Sequence, residues 1–293
     1  METRAHGKWI LAGEHAVLRG SPALAFPIFA RSLALRFEET DVPLSVEFNG
    51  NHGDELKLLF WGVMERAFEM TGLRRQDYRG VFHIENTIPV GAGMGASAAL
   101  CVALGRWFES RGKVKVDDLP EFCRQLENLF HGESSGVDIA VALSSEGLHF
   151  ERGGKRYAVK SNWKPNWYIS YSGKRGITSD CVAKVKELWA KDASLGQKID
   201  KDMSDSVRMA EESLQAKDSD TGFDQLASAI NLARSCFEHW GLAGGETGAH
   251  IQWLLDQGAY AVKPTGSGDG GYVLSLWRKP PPDSVMTKLI SLN

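Results

Sequence analysis

Between Ile88 and Leu100 the chain reads IPVGAGMGASAAL, with glycines at 91, 93 and 95 directly ahead of an apolar run at helical spacing. Glycine lacks a Cβ and admits backbone conformations closed to other residues, so such a loop lets another group come close to its main chain. Where the loop opens a helix, unpaired N–H groups and the positive end of the helix dipole face outward, which suits a phosphate. Ser97, at the helix entrance, adds a hydroxyl for phosphate or for Mg2+. Two better-known phosphate loops fit less well. Gly91, Gly93 and Ala96 match the G-x-G-x-x-A dinucleotide pattern, and Asp117 lies about 20 residues on, near the expected ribose contact. That loop leaves a strand directly, however, and here Pro89 stands two residues before Gly91. The G-x-x-x-x-G-K-[ST] loop fails because no lysine follows the glycines. Taken alone, the stretch also fits a tight turn whose glycines serve packing.

With 293 residues and 43% hydrophobic content, the chain is long and apolar enough for one large or two ordinary domains. A net charge of −3 and an isoelectric point near 6.3 leave no basic footprint for nucleic acid, and no polybasic run points to a membrane surface. No stretch approaches the ~20 apolar residues of a membrane helix. METRAHGKWI has neither the apolar core nor the cleavage pattern of a secretory leader, so a cytoplasmic location is expected. Cys101, Cys123, Cys181 and Cys236 lie far apart without C-x-x-C spacing and read as reduced core thiols rather than ligands or nucleophiles.

Periodicity makes the chain a mixture of helices and strands. SAALCVALGRWFES is apolar around most of its circumference, which predicts a helix buried between layers. LPEFCRQLENLFHG predicts an amphipathic helix that stops at His131-Gly132, followed by the loop HGESSGVD. Strands are expected at RSLALRFEE, YRGVFHIEN, GLHFERG, NWYISYSG and GYVLSLW, and helices over most of 180–257. RGGKRYAVKSNWKPNWY, from about 152 to 168, is basic and carries glycine and proline, so it reads as the passage between two halves.

Three further stretches accompany the glycine loop: GKWILAGEHAVLRGSPALAF at 7–26, HGESSGVD at 131–138 and KPTGSGDGGY at 263–272. In this order and spacing, over nearly the whole chain, the four resemble the GHMP kinase superfamily, and the first and third are most similar to its mevalonate kinase branch. The resemblance implies an α+β fold of two domains: an N-terminal ribosomal-protein-like domain that binds ATP, expected at 1–160, and a C-terminal ferredoxin-like domain, expected at 161–293, with the active site between them. It implies transfer of the γ-phosphoryl of ATP to the hydroxyl of a small molecule, most of all mevalonate, with Mg2+ as cofactor. ATP and the alcohol are the expected partners, nucleic acid and membrane are not, and a homodimer is left open. A sugar or phosphomevalonate as acceptor is the alternative within the family, and a non-catalytic sensor of ATP and metabolite the alternative outside enzymes.

Residue by residue, the resemblance assigns Gly91, Ala92, Gly93, Met94, Gly95, Ala96 and Ser97 to the nucleotide phosphates, with Ser97 also facing Mg2+. The family commonly has two serines where this chain has Ala96-Ser97. Asp138 corresponds to the carboxylate that takes the hydroxyl proton, and Lys8 to the lysine beside it. An always-ionised weak base suits an alcohol that becomes acidic only as its bond to phosphorus forms, and a neighbouring cation keeps that base ionised. Read without the motifs, Asp138 is a helix N-cap and Lys8 a solvated lysine at a strand end. Glu127, four residues before His131, corresponds to a Mg2+ ligand, a role one carboxylate shares with a serine hydroxyl, water and phosphate oxygens. Glu14, His15 and Thr178 fall on the acceptor side, the histidine hydrogen-bonding the acceptor. Arg152, or Lys174 and Arg175, would face a carboxylate of the acceptor. The glycine run near the C-terminus carries Asp269, whose charge would repel phosphates unless it points away or meets a cation.

Overall fold

The computed structural model describes residues 2–50, 53–131, 134–217 and 219–293. Gly132 and Glu133 of the third motif, with the helix stop expected at Gly132, lie outside the described residues. The chain packs as two compact units that are not two consecutive segments. The first takes the residues up to Lys8, Pro27–Val90 and Met94–Ser145; the second takes Trp9–Phe26, Gly91–Gly93 and Glu146–Asn293.

Two long strands, β1 (Glu2–Ala12) and β2 (Ala23–Pro43), run through both units. In the first unit β2 pairs antiparallel with β4 (Arg79–Asn86), Leu33 opposite Asn86 and Phe37 opposite Phe82. β3 (Ser45–Gly50) runs parallel to β4, and the crossover between them is the helix α1 (Gly53–Thr71), as parallel pairing requires. α2 (Ala96–Ser110) follows the glycine loop; Ala98 through Gly105 are all buried, as its continuous apolar character predicts. α3 (Leu119–His131) and α4 (Val137–Leu143) pack with it. The core is aromatic: Phe37 and Phe82 have ring centroids 4.5 Å apart, and Trp107 of α2 meets Phe82 edge-on at 5.1 Å. Such edge contacts place the ring edge against the electron-rich face.

In the second unit the start of β2 pairs with β5 (Leu148–Phe150), which forms a hairpin with β6 (Arg156–Ala158). The passage from 152 to 168 is therefore not a connector: it holds β6 and the first residues of β7 (Asn166–Tyr171). Its exposed, basic side chains concealed the pairing, because β6 has no buried face to impose alternation. α5 (Thr178–Lys191), α6 (Ala193–Leu214), α7 (Ser219–His239) and α8 (Gly245–Asp256) occupy the expected helical region. β8 (Ala261–Thr265) and β9 (Tyr272–Trp277) complete an antiparallel sheet in the order β10-β7-β9-β8, with β10 (Ile290–Ser291) at one edge. All four cysteines are free and buried; burial pushes the Cys123 and Cys236 thiols up to about 12, so they remain protonated packing groups. Among the described residues no helix is long and apolar enough to cross a membrane.

Candidate active site

In the first unit the geometry begins at α2. Gly91, Gly93 and Gly95 have φ of 68°, 78° and 78°, so every second residue of the loop adopts the left-handed region where a side chain is strained. Gly95 is the N-cap of α2, no side chain caps it, and no acidic residue lies in the first turn. The helix thus presents unmet N–H groups and its positive dipole end without internal competition for an anion. A Cβ on Gly95 would stand 2.8 Å from Cγ of Lys8, so the glycine also makes room for that lysine. Lys8 donates its backbone N–H to the Met94 carbonyl at 2.9 Å, which ties β1 to the loop.

Lys8 is only 5% exposed, and its Nζ stands 3.0 Å from the carboxylate of Asp138, itself 22% exposed. The N-cap of α4 is Gly136, with φ 86°, and Asp138 lies inside the first helical turn, so the capping role is taken and the carboxylate is turned to Lys8 instead. The solvated reading of Lys8 fails with it. Glu127, from α3, is 1% exposed. One of its oxygens, Oε2, accepts from the Ser134 hydroxyl, while the buried Oε1 has no hydrogen-bond partner. Burial first, and the nearby Asp138 charge second, push the Glu127 carboxyl up to about 8. A buried carboxyl with an unmet oxygen, its pKa raised by burial and by the Asp138 charge, is favoured in its ionised form by a divalent cation and offers that cation a hard oxygen donor. Ser97 is half-buried, and among the described residues no hydrogen bond engages its hydroxyl. No cluster of three or more His, Cys, Asp or Glu side chains suited to a metal occurs among the described residues, so a cation here would draw its other ligands from a phosphate and water.

The second unit gathers the remaining motif residues. Gly91–Gly93 lie against the C-terminal glycine run, where a Cβ on Gly271 would meet the Ala92 carbonyl at 2.9 Å. The side chain of Arg175 covers Gly91, and a Cβ there would fall 2.1 Å from its Nη2. Asp269 does meet cations: Lys174 at 2.7 Å and Lys184 at 2.9 Å. Burial raises its carboxyl, but the hydrogen bonds from Lys174 and Lys184 outweigh that and leave it below the usual carboxylate range. Lys174 is therefore engaged within the glycine run. Arg152 donates to the Leu18 carbonyl at 3.2 Å, at the far end of the turn that begins with Gly13.

That turn holds Glu14 and His15. Glu14 is 2% exposed and forms an ion pair with Lys263, which is fully buried on β8. His15 has φ 58° and ψ −46°, a conformation L-residues avoid and that persists only where surroundings fix it. Its Nε2 donates to the Ser267 carbonyl at 2.9 Å, and its ring packs edge-on against Trp240 and Phe237. Thr178, the first residue of α5, reaches the Ser267 hydroxyl at 3.4 Å. Glu14, His15 and Thr178 thus meet around Lys263 and Ser267, two residues the motif reading passed over because it treated 263–272 as a glycine run. Lys263 could have been noticed as a charge inside an otherwise apolar strand.

Burial is the main reason the His15 pKa falls to about 4. The unfolded chain, with an ordinary value near 6.5, takes up the proton first as pH falls, so the stabilisation is whole above pH 6.5 and is lost progressively toward pH 4. The shift corresponds to about 3 kcal/mol at most. Urea unfolding at pH 7.5 and 4.5 should therefore show a smaller acid loss in His15→Gln than in the parent; equal losses would mean that His15 titrates normally in the folded protein.

Residues 59–146 match the GHMP kinases N terminal domain. The mevalonate kinase of Thermococcus onnurineus is 26% identical over 93% of this chain and 87% of its own length. The L. major mevalonate kinase solved with R-mevalonate superposes with a TM-score of 0.77 at 18% identity, covering 95% of this chain and 87% of that one. The Streptococcus pneumoniae phosphomevalonate kinase, solved with phosphomevalonate and AMPPNP, gives 0.75 at 16% identity, covering 98% and 94%. The fold of this chain is the fold of those structures, mixed α and β with two sheets.

Proposed function

We infer that the chain, a member of the GHMP kinase superfamily, phosphorylates mevalonate from ATP. The observation that carries this reading is the Lys8–Asp138 pair at 3.0 Å: a carboxylate paired with a buried lysine, on the helix α4 that follows the Glu127 helix α3. The curated relatives, which match nearly the whole chain and are named mevalonate kinases, support mevalonate as acceptor.

In this account the amides of Gly91–Ser97 receive the phosphates of ATP, and the uncapped start of α2 stabilises their charge. Glu127, whose Oε1 has no hydrogen-bond partner, and Ser97 would hold Mg2+, which would supply neutralisation of the phosphate charge. Asp138 accepts the proton of the acceptor hydroxyl as that oxygen bonds to phosphorus and ADP departs. Lys8, paired with Asp138 at 3.0 Å, orients that carboxylate and offsets the negative charge that builds during the transfer. The Glu14–His15 turn, Thr178 and Arg152 belong to the acceptor side. Most of the rate arises from positioning and charge neutralisation, because a loose phosphoryl transition state asks for little covalent help.

A coupled ADP-release assay tests the reading. Turnover is expected to require both Mg2+ and (R)-mevalonate and to be small with phosphomevalonate or galactose. Faster turnover with either of those acceptors, or ATP hydrolysis indifferent to mevalonate, contradicts it.

A further inference from the structure

Ser134 lies between the two carboxylates of the first unit and belongs to neither role described above. It is buried, and α3 fixes its backbone: its N–H donates to Oδ1 of Asn128 at 2.8 Å. Its hydroxyl makes two bonds of opposite sense. Oγ donates to Oε2 of Glu127 and accepts the N–H of Gly136 at 3.0 Å. A serine hydroxyl has one proton and two lone pairs. With one lone pair taken by Gly136, the proton is directed to Glu127. Gly136 is the N-cap of α4, the helix that carries Asp138. One hydroxyl therefore spans from the carboxylate on α3 to the backbone that sets the start of the catalytic helix.

We propose that Ser134 is a positioning residue for the divalent cation: by holding Oε2 of Glu127 against the entrance of α4, it leaves Oε1, which has no hydrogen-bond partner, as the ligating oxygen. The inference rests on the assignment of Glu127 to Mg2+. A carboxylate ligand free to rotate would offer either oxygen and would lose orientational freedom when the cation binds. Fixing one oxygen beforehand removes that cost, which is how hydrogen bonds to a ligating group tune metal sites. The bond to Gly136 makes the same hydroxyl sensitive to the placement of Asp138, so cation binding and base alignment share a hinge.

Mn2+ is a direct probe, because free Mn2+ can be counted by electron paramagnetic resonance in the presence of ADP, without turnover. Ser134→Ala is expected to raise the Kd for Mn2+ by about 10- to 100-fold, the usual effect of losing a partner of a metal ligand. Ser134→Thr keeps the hydroxyl and should bind near the parent's affinity. Ser134→Cys keeps the volume but donates poorly, so it should follow Ser134→Ala even if the alanine variant folds badly. In a Glu127→Gln background Ser134→Ala should cost nothing further, since the two act as one unit. Parent-like Mn2+ binding by Ser134→Ala or Ser134→Cys, with Glu127→Gln weakened, overturns the role of Ser134 alone, whatever happens to the Tm. An undiminished loss in the Glu127→Gln background overturns it as well. Parent-like binding by Glu127→Gln removes the metal assignment, and this inference with it.

Discussion

Asp138→Asn is expected to lower kcat by ~10²- to 10⁴-fold, the usual range for loss of a general base, or roughly 3 to 5.5 kcal/mol of transition-state stabilisation. ATP affinity and Tm should change little. Asparagine keeps the shape, and no side chain caps α4, whose N-cap position is Gly136, so the helix loses no capping bond. What disappears is the negative charge 3.0 Å from Lys8 and the site that takes the proton. Lys8 is not stranded by the change, because Glu127 interacts with both groups: the Asp138 charge raises its pKa and the Lys8 charge lowers it. With Asp138 neutralised, the charge that raises the Glu127 carboxyl is gone, and the Lys8 charge still favours its ionised form. Because Lys8 acts in part through Asp138, Lys8→Met should cost less kcat in the Asp138→Asn background than alone, as for residues that work as a unit. Steady-state kinetics with a parallel thermal melt decide the matter. An unchanged kcat would remove Asp138 from the mechanism, and a large drop in Tm would make its role structural.

The largest effect on stability is expected at Lys263. Its ammonium is fully buried and paired with a carboxylate that is 2% exposed. It also lies 5.3 Å from the ring of Phe237 and within 3.4 Å of the Ile10 carbonyl. Lys263→Met removes the positive partner of a carboxylate that is 2% exposed, and losing one member of a buried pair costs about 3 to 5 kcal/mol. Against a total stability of about 5 to 15 kcal/mol for an ordinary domain, that is a large fraction. Glu14→Gln added to Lys263→Met removes the stranded charge and should recover most of the loss. Urea denaturation of the three proteins measures this. If the double variant is as unstable as Lys263→Met, the cost comes from packing around the lysine stem and not from the uncompensated carboxylate. Activity provides a second comparison, since the pair fixes the turn that carries His15: a double variant that folds but turns over slowly would separate the turn's placement from the stability of the fold.

Much of this site was legible because its parts are local. The three alternating glycines and the apolar run behind them specify the loop and α2 without help from the rest of the chain, and Gly95 as N-cap follows from the same pattern. Lys8, Glu127 and Asp138 were found through motif spacing, but their mutual placement depends on β1, α3 and α4 coming together, which no local period encodes. β1 itself escaped the alternation test because it is alternately buried only over its first residues and then buried without interruption. β6 escaped for the opposite reason, having no buried face at all. Ser134 sat inside a quoted motif yet looked like loop filler, since its significance lies in two hydrogen bonds of opposite sense. Lys263 was hidden by the glycines that follow it; a lysine in a strand reads as solvent-facing until its partner, 249 residues earlier, is known to be Glu14.

Phosphorus NMR of the protein incubated with Mg2+, ATP and (R)-mevalonate tests the central claim most directly. The account predicts that the γ-phosphate signal of ATP is replaced, one for one with ADP, by a phosphomonoester coupled to the two protons of the adjacent carbon, and that Asp138→Asn slows its appearance by the factor given above. Inorganic phosphate as the only product, or no phosphoester while another acceptor is phosphorylated, would contradict it.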